Sequence, residues 1–284
     1  MGSQMARKAL GITLLVLVAS SGCTFLDALG PNVQARGPGA AYDSYLAEAE
    51  TVVVEIDHAP GALWDEDTPA EEQFVDELER VTAAEIEIRV DEELPEQGED
   101  YAYALGELRD LHAERQDTEV ANDTEVMHVL FLDGRFAQEG TLGLSFDTRA
   151  FALFKGEIRD STCENDAPVC QLPCPDDEVV CERKATPATR EWKVTRAVGI
   201  HEAGHLLGLV NSPLPMVQDH EMSEDPEPDT PAQENRSHSS NESSVMWWQL
   251  DSAADIREIG EGGEVPWRFG EQDVADARAI QAEG

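Results

Sequence analysis

The stretch His201–Asn211, HEAGHLLGLVN, holds the residues best placed to do chemistry. His201 and His205 are four residues apart, so on a helix their imidazoles lie one turn apart on one face. That spacing lets both rings reach one zinc ion at about 2.0–2.1 Å and leaves positions for a third protein ligand and a water. Glu202 follows the first histidine, too close in sequence to share the ion easily but placed to take a proton from that water. An amphipathic helix with two polar histidines is the bland alternative, and the five-residue motif alone does not decide between them.

The flanking residues carry the decision. Gly208, three residues after His205, is where a helix can end in the left-handed conformation. Downstream, Ser244-Val245-Met246-Trp247-Trp248 is an apolar turn carrying a methionine. Together these residues resemble the metzincin metalloproteases, which combine HExxHxxGxx, a third ligand and a Met-turn beneath the metal. The longer string GLVNSPLPMVQDH, with a histidine shortly before the turn, is similar to bacterial lipoprotein metalloproteases related to archaemetzincins. The likeness covers about Ile200–Trp248 well and the rest in outline. It implies an α+β, metzincin-like zincin domain: a twisted, mostly parallel sheet, an active-site helix and a C-terminal helix. It implies Zn²⁺ as cofactor, Glu202 as general base, and Met246 as a soft apolar floor under the ion rather than a ligand. Trp248 stands where such enzymes often carry a tyrosine.

The third ligand is where the chain departs from that pattern. Asn211 occupies the position usually held by histidine, and a neutral amide oxygen is a poor ligand for zinc. His220 is favoured in its place, on a loop stiffened by Pro213 and Pro215, with Asn211 turned into an orienting partner. Asn211 itself and His238 are the alternatives. Glu221 or Glu224 would need a second helix, which the prolines at 226, 228 and 231 oppose.

Elements that must position these residues can be read along the chain. Thr186-Pro187 is a start signal for the zinc helix. Thr51–Ile56 is β-branched and reads as a buried strand. Thr68-Pro69-Ala70-Glu71 reads as a capping box opening a helix with Phe74, Leu78 and Val81 on one face. Ile86, Ile88 and Val90 alternate with charged residues, as in a half-exposed strand. Leu105, Leu108 and His112 suggest a short helix, and Val126–Leu132 a central strand in which His128 is packed rather than a ligand. Leu142–Phe146 and Ala150–Phe154 read as two strands around a turn. One of them is expected at the sheet edge, with Phe146 or Phe151 near a bound peptide. Phe269–Gln281 reads as an amphipathic closing helix.

Residues 1–23 read as an export signal: Arg7 and Lys8 precede the apolar run Ala9–Ala19, too short to span a bilayer. Cys23 ends a lipobox-like AlaSerSerGlyCys and is the expected lipidation site; a plain secretory cleavage is the alternative. Residues 24–46 read as a flexible tether and 47–284 as one metalloprotease domain. Within it, Cys163, Cys170, Cys174 and Cys181 sit in an insert over 160–184; in an exported chain an even count implies two disulfides, a zinc knuckle being the rival. With 59 acidic against 20 basic residues and a net charge of −39, the chain repels nucleic acid. The acidity is spread evenly, as on a surface adapted to high salt. The expected function is a zinc-dependent endopeptidase, monomeric and lipid-anchored to the cell envelope, acting on a protein or peptide. The alternative is a surface lipoprotein that keeps zinc only to bind a protein partner.

Overall fold

The computed structural model describes residues 37–121, 123–162, 191–222, 237–247, 250 and 265–282, and the backbone alone of 170–172 and 181–183. Expectations for the signal segment, Cys23, Cys163, Cys174, Thr186-Pro187, Glu224 and Trp248 lie outside the described residues, as do the side chains of Cys170 and Cys181. No described helix is long and apolar enough to cross a membrane.

Five strands form the central sheet: β1 (Thr51–His58), β2 (Glu85–Glu93), β4 (Thr124–Leu132), β6 (Gly143–Asp147) and β7 (Ala150–Phe154). Their spatial order is β2-β1-β4-β7-β6. The first four in that order are mutually parallel, and β6 returns antiparallel to β7 as an outermost strand. The chain is therefore α+β with a mostly parallel sheet. Parallel strands are covered on both faces, and β1 and β4 accordingly read as near-continuous apolar runs. Two short strands, β3 (Ala102–Tyr103) and β5 (Arg135–Phe136), pair beside the sheet, and β8 (Cys170–Leu172) pairs antiparallel with β9 (Cys181–Arg183).

Alternation along the strands separates two cores. Val54 and Ile56 of β1, Met127, Val129 and Phe131 of β4 and Leu153 of β7 face a large core shared with three helices. These are α1 (Ala70–Val81), α4 (Glu191–Leu206) and α5 (Glu271–Gln281). On the opposite face Leu130, Leu132, Phe146, Ala152 and Phe154 pack against Leu108 of α2 (Leu105–Arg115). A further helix, α3 (Lys155–Thr162), follows β7 without a gap.

Two expectations are corrected. The helix at 70–81 forms and buries Phe74, Leu78 and Val81, but Thr68 is not its cap. Its hydroxyl donates to the carbonyl of Asp65 at 2.7 Å, and Pro69 holds the capping position without a side-chain bond. The tether also ends earlier than residue 46. A π-helical turn over Ser44–Glu48 buries Tyr45 and Leu46 in the large core, and Tyr45 donates its hydroxyl to the Val126 carbonyl at 2.6 Å. The Gly- and Pro-rich composition before it concealed an anchor made of only two large side chains. Replacing Tyr45 by Ala should lower unfolding stability by about 3–5 kcal/mol, in the range for deleting a buried aromatic ring, and by Phe about 1 kcal/mol. Denaturant unfolding measures both; an Ala variant as stable as the parent would return this segment to the tether.

Candidate metal centre

Helix α4 is buried on every side from Val194 to Leu206, so it lacks the polar face of a surface helix. His201, Glu202 and His205 sit in its last two turns and are 1%, 2% and 5% exposed. The Nε2 atoms of the two histidines face one another at 3.2 Å. His201 Nδ1 lies 2.7 Å from the carbonyl oxygen of Val245. A carbonyl only accepts, so Nδ1 carries the hydrogen and Nε2 keeps its lone pair on the side of His205.

The helix ends as its glycine implies. Gly208 has φ +70°, its N–H bonds the His205 carbonyl, and the Leu209 N–H bonds that of Gly204. This is the double bond pattern of a Schellman end. Val210 and Asn211 continue in the left-handed region at φ 56° and 62°, a conformation Asn tolerates better than most residues. Asn211 is exposed, and its Nδ2 donates to Glu221 Oε2 at 3.2 Å. Its amide serves the turn and does not enter the histidine group.

His220, the favoured third ligand, is placed elsewhere too. Its Nε2 donates to Asp273 Oδ1 at 2.9 Å and its Nδ1 to the Gln218 carbonyl at 2.8 Å. With an acceptor at each ring nitrogen, the ring is held as imidazolium and offers no lone pair to a metal. Burial opposes that charge, but the Asp273 bond, the Gln218 carbonyl and the charges of Asp273 and Asp276 outweigh it and push the pKa up to about 8.

His238 joins the pair instead. Ligating atoms of His201, His205 and His238 all lie within 4.8 Å of one another, and all three residues are buried. The His238 ring stacks on His201 with centroids 5.2 Å apart and stands edge-on to His205 at 5.1 Å. Its Ser- and Asn-rich surroundings read as a mobile loop, yet backbone bonds pin it. Met222 N–H bonds the His238 carbonyl, Ser240 N–H that of His220, and Ser239 N–H that of Met246. Three neutral imidazoles are a donor set that suits zinc, so the residues fit the ion that the motif implies.

The Met-turn is locked beneath this group. A β-carbon on Gly204 would lie 2.3 Å from Met246 Sδ and 2.9 Å from Phe269 Cε1, so a larger residue would force the buried thioether to shift. Asp273 of α5, 1% exposed, accepts from Ser244 Oγ at 2.5 Å, from the Gly270 N–H at 2.7 Å and from His220. Ser244 Oγ in turn accepts the Met246 N–H at 3.0 Å. His220 thus braces the turn whose Val245 carbonyl orients His201.

Two further residues escaped the reading of the sequence. Ser145 on β6 places its hydroxyl 2.8 Å from both Glu202 Oε2 and the Glu202 carbonyl. A β-carbon on Gly143, two residues earlier on the same face, would lie 2.6 Å from Val198 Cγ1 and 2.9 Å from Glu202 Oε1. Small residues at alternate positions of one strand were the available signal, and the likeness of 142–146 to an ordinary buried strand masked it.

No protein-family model matches the chain, and no curated protein is similar to it. Among solved structures it is similar to archaemetzincin from Methanopyrus kandleri, at 12% identity over 82% of this chain and 96% of that one, with a TM-score of 0.41. A likeness that slight adds nothing to what the histidines themselves say.

The raised pKa of His220 has a consequence for stability. Its folded value of about 8 exceeds the unfolded value of about 6.5, so its contribution is complete below pH 6.5 and is lost as pH rises through 8. The stability gap between the parent and His220→Gln should therefore shrink by on the order of 1–2 kcal/mol between pH 6 and pH 9. Urea unfolding across that range measures it, and a gap independent of pH would contradict the imidazolium.

Proposed function

We propose that the chain is a zinc-dependent endopeptidase in which His201, His205 and His238 hold the ion and Glu202 is the general base. His238 replaces His220 in this assignment, for the reasons of geometry and protonation given above. The observation that carries the reading is the buried three-histidine group with a carboxylate on the same helix, one residue from the first histidine. A site that served only structure would have no use for that carboxylate. Zinc there would supply Lewis acidity, bringing the pKa of a water toward about 7 and polarising a carbonyl oxygen.

The remaining steps belong to the protein's own residues. Ser145 anchors Glu202 Oε2 and so orients the carboxylate, which takes a proton from the attacking water and returns it to the leaving amine. Among the described residues, strand β6 carries Ser145 and lies outermost in the sheet next to α4, so an extended peptide can add to its outer side and run past Glu202. Phe146 lies on this strand and Phe151 on β7 inside it, which makes 143–147 the better candidate for the peptide-binding edge. Met246 is an apolar support and donates nothing to the ion. The substrate proposed is a protein or peptide. The reading of residues 1–23 as an export signal ending in Cys23 favours a lipid anchor to the cell envelope, a monomer is the state proposed, and the charge of −39 argues against nucleic acid as a partner.

Glu202→Ala should retain zinc while cleavage of an unfolded protein substrate falls by about 10²-fold or more, the contribution of a positioned general base. Metal content and product fragments are measured on the same sample. Undiminished cleavage would refute the reading. If the parent itself cleaves nothing and ignores a hydroxamate chelator, the non-catalytic, partner-binding lipoprotein takes its place.

A further inference from the structure

The second face of the sheet holds a group of ligating side chains that the peptidase reading does not use. Glu55 and Asp57 alternate on β1, and His128 is the direct neighbour of Glu55 on β4. All three are fully buried, and their ligating atoms lie within 4.8 Å of one another. Glu55 also lies within the same distance of the exposed Asp91 and Asp117, so it is shared between a buried group and an exposed acidic one. Among the described ion pairs, no lysine or arginine partners the two buried carboxylates; His128 Nε2 lies 2.9 Å from Asp57 Oδ2. The arginines at the rim bond other groups, Arg89 with Thr118 and Glu87 and Arg115 with Glu92, and the charge of Arg115 is felt at Asp57. Two carboxylates buried against one imidazole are costly unless a charge compensates them.

Three details of the backbone and ring geometry point the group toward an ion. First, Glu55 accepts the N–H groups of Asp117 and Thr118 at 2.9 and 2.8 Å, and Asp57 accepts that of Glu92 at 2.9 Å. Those bonds fix both carboxylates, as partners of metal-ligating carboxylates do. Second, the pairing of β1 with β2 shifts register between Ile56 and His58, and this irregularity sits opposite Asp91 and Glu92. Such bulges re-aim side chains beside functional sites. Third, His128 Nδ1 lies 2.8 Å from His112 Nδ1 on α2, while Nε2 faces the carboxylates. A ligating histidine characteristically has a partner on its outer nitrogen, as His201 has in Val245.

We propose that Glu55, Asp57 and His128 form a second divalent-cation site, rich in carboxylate and separate from the histidines of α4, with Asp91 and Asp117 at its mouth and His112 orienting His128. Oxygen donors outnumber the single nitrogen, which suits a hard to borderline ion, and Mn²⁺ is the probe. Bound there, the ion would tie β1 to β4 and to the segment that follows α2.

The test is Mn²⁺ titration of the zinc-loaded full chain, with free Mn²⁺ read by electron paramagnetic resonance and the bound ion by its coupling to ligand nitrogen. The site predicts one ion per chain with a single imidazole coupling, unchanged in His205→Ala. In His128→Gln the coupling should vanish, and affinity should fall by about tenfold or more in His128→Gln and in Asp57→Asn. Absence of a bound ion in the parent, an ion without nitrogen coupling, or a coupling lost in His205→Ala but kept in His128→Gln would each overturn the proposal. The parent spectrum alone decides if the variants fail to fold. Neither result depends on proteolysis, so failure here leaves the peptidase reading standing.

Discussion

The hydrogen bond from His201 Nδ1 to the Val245 carbonyl is the constraint on which the rest of the site depends. It fixes the tautomer, and so decides that Nε2 is the nitrogen presented to His205 and His238. It can form only if the turn 244–246 stays in register with the last turns of α4. Glycine at 204 permits that contact, because a β-carbon there would displace Met246. Ser244 and Asp273 then hold the turn from below, and His220 neutralises Asp273. A buried carboxylate accepting three bonds is stable only with such a partner. The residue that sequence pattern nominates as ligand thus serves the histidine group at a distance, by supporting the turn that orients His201.

The sheet explains why the helix can be apolar all round and still display chemistry. Strand β7 underlies α4, helices α1 and α3 pack against it, and β6 closes on it at Gly143 and Ser145. Burial removes water from around Glu202 and the histidines, and charge interactions strengthen in such surroundings. The other face of the same strands is divided. Its β4-β7-β6 portion is apolar, whereas its β1-β4 portion carries Glu55, Asp57 and His128.

Most of the fold was legible in the pattern of apolar residues. The strands at 51–58, 85–93 and 124–132 and the helices at 70–81, 105–115 and 271–281 follow from runs and periods that local physics reads well. The helical half of the candidate metal site was legible for the same reason, since four-residue spacing on a helix is local geometry. The third histidine was not. His220 and His238 are both far from the helix in sequence, and which one reaches it depends on the pairing of 220–222 with 238–240. Asp273 and Asp276 were hidden likewise: acidic residues on an amphipathic helix look solvated, yet both are 1% exposed. Thr68 looked like a cap because its spacing to Glu71 fits the motif, but the nearer Asp65 carbonyl captured its hydroxyl.

The central claim is that zinc is held by His201, His205 and His238 while His220 only braces the turn. Zinc affinity, measured by competition with a chromophoric chelator, tests it most directly in His238→Ala and His220→Ala. Loss of a ligating imidazole should weaken binding by more than about 100-fold, beyond the 10–100-fold of an outer partner, and removal of the more distant brace by about tenfold or less. A His238→Ala variant that binds zinc like the parent, beside a His220→Ala variant that has lost it, would contradict the account.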